Sequence, residues 1–85
     1  MPRLILSVER LSLARALIQK AREVPLPADG GKYEFSYIAQ VKDLLRQARD
    51  LVKFIPKSAG ATAEIKADAV KVILEADLAD REILH

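Results

Sequence analysis

Eighty-five residues, of which 51% are apolar and 31% charged, describe one globular unit, and a net charge of +2 is too small to point to a polyanionic partner. The absence of cysteine excludes a disulfide framework and a thiolate metal site, and it suits a reducing cytoplasm, the expected location. At 9.4 kDa the chain is expected to expose roughly 5,000 Å² folded against roughly 13,600 Å² unfolded, enough for a single core with little margin.

The first segment opens with Leu4, Ile5 and Leu6 behind Arg3, an arrangement that hints at a secretion signal. Glu9, Arg10 and Arg15 interrupt it before an apolar region is complete. At 100° per residue, Leu4, Leu11, Ala14, Ile18 and Ala21 share one arc of a helix, with Leu6, Leu13, Leu17 and Val24 beside it. Pro25 ends this helix, because the residue before a proline is pushed out of the α region. Residues 1–6 suit either a first helical turn or an extended arm. The break at 25–31 joins two prolines to an Asp29-Gly30-Gly31 turn signal.

The second segment has the clearest period. Tyr37, Ile38, Val41, Leu44, Leu45, Ala48, Leu51, Val52 and Ile55 fall within one arc, which predicts an amphipathic helix with Ser36 or a residue near Glu34 at its start. Tyr33 and Phe35 are expected to close the top of the bundle. Lys42, Arg46, Arg49 and Lys53 line the outer side at helical spacing, where a basic face can track phosphates. Asp43 and Asp50 interrupt that face and no aromatic residues interleave it, so nucleic-acid binding is the alternative rather than the leading function.

A short connection at 56–60 leads to the third segment, with Thr62 as expected N-cap. Two apolar stripes run along it. One comprises Ile65, Ala69, Val72, Ala76, Ala79 and Ile83; the other comprises Ala63, Ala67, Val70, Leu74 and Leu78. A helix apolar on nearly all sides is normally buried, so one stripe is expected to face the chain's own core and the other, Ala63 to Leu78, an interface with a second copy or another helical protein. Asp77 and Asp80 project between the stripes and need partners there, Lys66 or a group from another chain.

Charge is divided along the sequence: residues 1–24 and 32–57 each carry a net +3, and residues 61–85 a net −3. Segments of opposite sign either pair with one another or remain solvated faces, and solvated faces are the expectation. The carboxylates Glu75, Asp77, Asp80 and Glu82 form the basis of a second alternative, a metal-binding or enzymatic role with His85. They match no calcium-loop or di-metal bundle pattern, so no metal, cofactor or catalytic residue is expected. Arg81 and His85 resemble the spaced Arg and His pair of HEPN-type helical ribonucleases, which would imply RNA cleavage. Only three residues separate them here, and the rest of that motif is absent.

The resulting expectation is an all-α, three-helix up-down-up bundle occupying residues 1–85, with helices over about 4–24, 34–55 and 62–84. It is expected to dimerise through the third helix and to act as a non-enzymatic protein–protein interaction or assembly module. No stretch approaches the roughly 20 apolar residues of a membrane span, so no membrane partner is expected.

Overall fold

Apolar residues recurring every three or four positions make helix the only regular structure that can bury them together. The computed structural model describes residues 6–84 and contains no strand among them. Three helices pack on one another: α1 (Ser7–Glu23), α2 (Phe35–Val52) and α3 (Ala63–Leu84). Two short 3₁₀ turns, Gly31–Tyr33 and Ile55–Lys57, lie in the connections.

The ends of the helices follow from local chemistry. Leu6 is extended (φ −66°, ψ 151°), so α1 begins at Ser7, and residues 1–5, including the expected helical position Leu4, lie outside the described residues. The Asp29-Gly30-Gly31 turn places both glycines at positive φ, 83° and 52°. A side chain at Gly30 would incur the left-handed backbone penalty and meet Cβ of Glu34 at 3.4 Å. Glu34, not Ser36, caps α2: its carboxylate accepts hydrogen bonds from the backbone N–H groups of Ser36 (3.1 Å) and Tyr37 (2.9 Å). These bonds hold the Glu34 carboxyl below its ordinary pKa. Ser36 lies inside the first turn, where its own hydroxyl is too late to cap. At the other end α2 stops at Val52 rather than Ile55. Pro56 has no N–H for the carbonyl four residues back, and the chain tightens into the Ile55–Lys57 turn. Thr62 caps α3 as expected, its Oγ1 accepting from Ile65 N–H at 3.2 Å.

The core is built from narrow seams. Leu11, Ala14, Ile18 and Ala21 face inward from α1; Tyr37, Val41, Leu45, Ala48 and Val52 from α2; Ala69, Val72, Ala76 and Ala79 from α3, with Ile55 closing one end. Ile38, Leu44 and Leu51 of the predicted α2 arc are half-buried at its margins. Six of the buried positions are fully enclosed alanines, which let the helix axes approach closely. A seam of this kind leaves the second flank of α1 outside, with Leu6 and Leu13 exposed.

The resulting body measures 47 × 29 × 15 Å, and its radius of gyration of 14.4 Å exceeds the roughly 12 Å of a compact domain this long. The three helices form a long, thin slab with broad faces.

Candidate interaction surface

The outer side of α3 is fixed by what its inner side buries. Ala69, Val72, Ala76 and Ala79 are buried and Ile65 and Ile83 half-buried, so the opposite stripe turns to solvent. Ala63, Ala67, Val70, Leu74 and Leu78 all lie there, and Val70, Leu74 and Leu78 retain 46%, 60% and 51% of their accessible surface. The chain alone therefore covers one stripe of α3 and leaves the other open. Ile73 and Leu84, between the two, are half-buried against the core.

Ion pairs line both flanks of α3 in this rotation. Arg15 of α1 makes a two-pronged bond to Asp68, Nη1 to Oδ2 at 2.9 Å and Nη2 to Oδ1 at 2.7 Å, and its Nε lies 3.5 Å from Glu75. Further along, Arg22 pairs with Glu82 at 2.5 Å, so α1 and α3 run in the same direction. The bond from Arg15 keeps the Asp68 carboxyl ionised below its ordinary range, and Asp68 in turn raises the guanidinium's pKa. On the other flank Arg49 of α2 binds Asp77 at 3.1 Å and approaches Asp80 at 3.7 Å. Within the chain the partner of Asp77 and Asp80 is thus Arg49 rather than Lys66. Arg15, Arg22 and Arg49 were not distinguishable as orienting residues from their own helices. The signal lay in the opposite net charges of the segments: three arginines of α1 and α2 pair with the acidic helix, and these pairs remain exposed to solvent.

An open cleft of about 700 Å³ lies between the first halves of α1 and α3, lined by Val8, Leu11, Arg15, Ile65, Ala67 and Asp68 among others. Two of its charged groups, Arg15 and Asp68, are paired with one another. Ala67 and Lys71 belong to both the cleft and the outer face of α3, so the two surfaces are continuous.

The remaining candidate residues do not converge. Of the basic set on α2, Arg46 pairs with Asp43 and Asp50, Lys53 with Asp50, and Arg49 turns toward α3; Lys42 is exposed beside them. Gln47 also donates to Asp43. Most of the positive charge on that face is therefore answered locally. Glu75 and Glu82 face α1 while Asp77 and Asp80 face α2, so these four carboxylates split between opposite flanks. No group of three or more possible metal ligands occurs among the described residues, and His85 lies outside them.

Tyr37 is buried, but Tyr33 and Phe35 are exposed at 76% and 87%. They do not close the bundle: the 3₁₀ turn and the Glu34 cap point both rings away from the seam that Tyr37 enters. Phe54 is also exposed, with the Lys53 ammonium 5.1 Å from its ring centre.

Fold and surface together define an all-α three-helix protein with an unsatisfied apolar helix face. Among the described residues no helix is long and apolar enough to cross a membrane. Comparison with protein-family models, with characterised proteins and with solved structures yields no match for the chain.

Proposed function

We propose that this chain is a non-enzymatic assembly module, a single three-helix domain that forms a homodimer through the outer face of α3. The observation that carries this reading is the exposed stripe Val70, Leu74 and Leu78, aligned on a helix whose other side already fills the core. Contiguous exposed apolar surface rimmed by charge marks interaction sites in small proteins. The flanking ion pairs are compatible with the same role, because they accompany a rotation of α3 that leaves the stripe outward.

Burying the 60% of Leu74 that is exposed contributes about 1–2 kcal/mol per copy on the usual scale for a leucine. Leu74→Glu, which sets a charge at the same point of both copies, is expected to weaken the dimer at least thirtyfold or so. Light scattering across a concentration series tests this. The native chain is expected at twice its 9.4 kDa and the variant at the monomer mass with an unchanged helical spectrum. A native chain that remains monomeric at high micromolar concentration, or a Leu74→Glu protein as dimeric as the native one, overturns the reading.

A further inference from the structure

We propose that the two α3 helices of the dimer lie antiparallel, with the two-fold axis passing between Val70 and Lys71. This rests on the dimer reading above and specifies its register. The first argument is length. The stripe from Ala63 to Leu78 runs about 22 Å along α3, with Val70, Leu74 and Leu78 exposed in line on it. A second copy of the same helix covers that length in full.

The second argument is shape. The outer stripe is graded: Ala63 and Ala67 occupy its first half, Leu74 and Leu78 its second, and Val70 its middle. In the antiparallel register Leu74 of one copy meets Ala67 of the other, and Leu78 meets Ala63. Every large side chain then faces a small one, and the helix axes stay evenly spaced. A parallel pair would instead set leucine against leucine at one end and alanine against alanine at the other, wedging the helices apart. Because the contact is two-fold and isologous, it closes at two copies.

The third argument is charge. Lys66 and Asp77 lie on the same flank of α3, at similar distances either side of the axis, so Lys66 of each copy comes beside Asp77 of the other. Asp77 accepts a hydrogen bond from Arg49 Nε through one carboxylate oxygen, and a carboxylate has room for a second donor. On the opposite flank the two Lys71 side chains approach across the axis; they are long enough to turn toward Glu64 and Glu75 of that flank.

The native chain has no cysteine, which makes disulfide trapping clean. Ala63→Cys and Leu78→Cys, both at exposed sites, are prepared separately, mixed, and oxidised, and the mass of the native chain is measured alongside. The antiparallel register predicts a covalent heterodimer in the mixture several times more abundant than any self-linked product of either variant. A native chain that is monomeric removes the dimer itself. A native dimer in which Leu78→Cys links to its own copy removes only the antiparallel register. A native dimer that yields no product in either combination places the contact away from this stripe and overturns the inference.

Discussion

Two identical substitutions on one helix provide a direct test of how α3 is seated. Ala67 and Ala76 are both alanines in the middle turns of α3, so replacing either by leucine changes intrinsic helix propensity equally and by only about 0.2 kcal/mol. Ala76 is fully enclosed, whereas Ala67 lies on the outer face. Leucine at 76 adds three carbons to the core seam at a point where the alanine retains no accessible surface. Overpacking of this sort costs about 1–3 kcal/mol. For a domain this small each kcal/mol lowers the melting temperature by roughly 4–8 °C, so Ala76→Leu is expected to melt about 5–20 °C below the native chain. Ala67→Leu is expected within about 0.5 kcal/mol of native stability. The assay is far-ultraviolet circular dichroism on heating, repeated at several concentrations and compared at the dilute end, where association contributes least. Equal losses in the two variants, or a larger loss for Ala67→Leu, would refute the assignment of inner and outer faces on which the functional reading depends.

Leu45 is the largest fully buried side chain of the core; Leu45→Ala is expected to lose about 2–5 kcal/mol in denaturant titration, and a loss under 1 kcal/mol or so would contradict the packing. The pH dependence follows from Asp68, whose folded pKa is depressed by Arg15. Its stabilisation is complete above the ordinary carboxylate value near ~4 and disappears as pH falls through the lower folded value. The pair is more than a third exposed on the Arg15 side, so its contribution is at most about 1 kcal/mol. Asp68→Asn is therefore expected to melt slightly lower at neutral pH and to lose less stability on acidification. A parallel curve for the two proteins would remove Asp68 from the account. The engaged state of Arg46, Arg49 and Lys53 predicts no saturable binding of a fluorescent DNA duplex at roughly 150 mM salt. Tight, salt-steep binding lost in Lys42→Glu would restore the nucleic-acid reading.

The seams of the core were legible because their spacing is a property of the sequence: Leu11, Ala14, Ile18 and Ala21 can meet only on one side of a helix. The two stripes of α3 were legible for the same reason, but which of them faced inward was not. That choice depends on neighbours: Ala69, Val72, Ala76 and Ala79 pack into the seams of α1 and α2, and Arg15 and Arg49 pair with the acids on each flank in the same rotation. Periodicity within α3 contains no information about arginines 28 and 53 positions away. Helix ends were legible where a side chain caps its own turn, as at Thr62. At the start of α2 the sequence left Ser36 and the neighbourhood of Glu34 open, and the Glu34 cap decides between them; its far end was missed because Pro56, one residue beyond the apolar period, shortens the helix. Tyr33 and Phe35 were misjudged because aromatic residues beside a turn read as core, whereas a cap that fixes the entry angle of α2 leaves room for only Tyr37 in the seam.

The excess surface and the alanine-rich core have one origin. Six enclosed alanines draw the helices together but bury little apolar area each, so the slab is thin, and bulk that would have filled a thicker core sits instead on its faces as Leu13, Val70, Leu74 and Leu78. In a chain this short the core alone supplies only about 3–5 kcal/mol of stability. In the proposed dimer, covering the outer α3 face would add apolar burial without adding residues, and folding and association would then reinforce one another. Substitutions on the outer stripe should then lower stability at high protein concentration and leave it untouched at low concentration, while substitutions in the seam should lower it at both. That contrast separates a docking face from surface leucines that merely tolerate water.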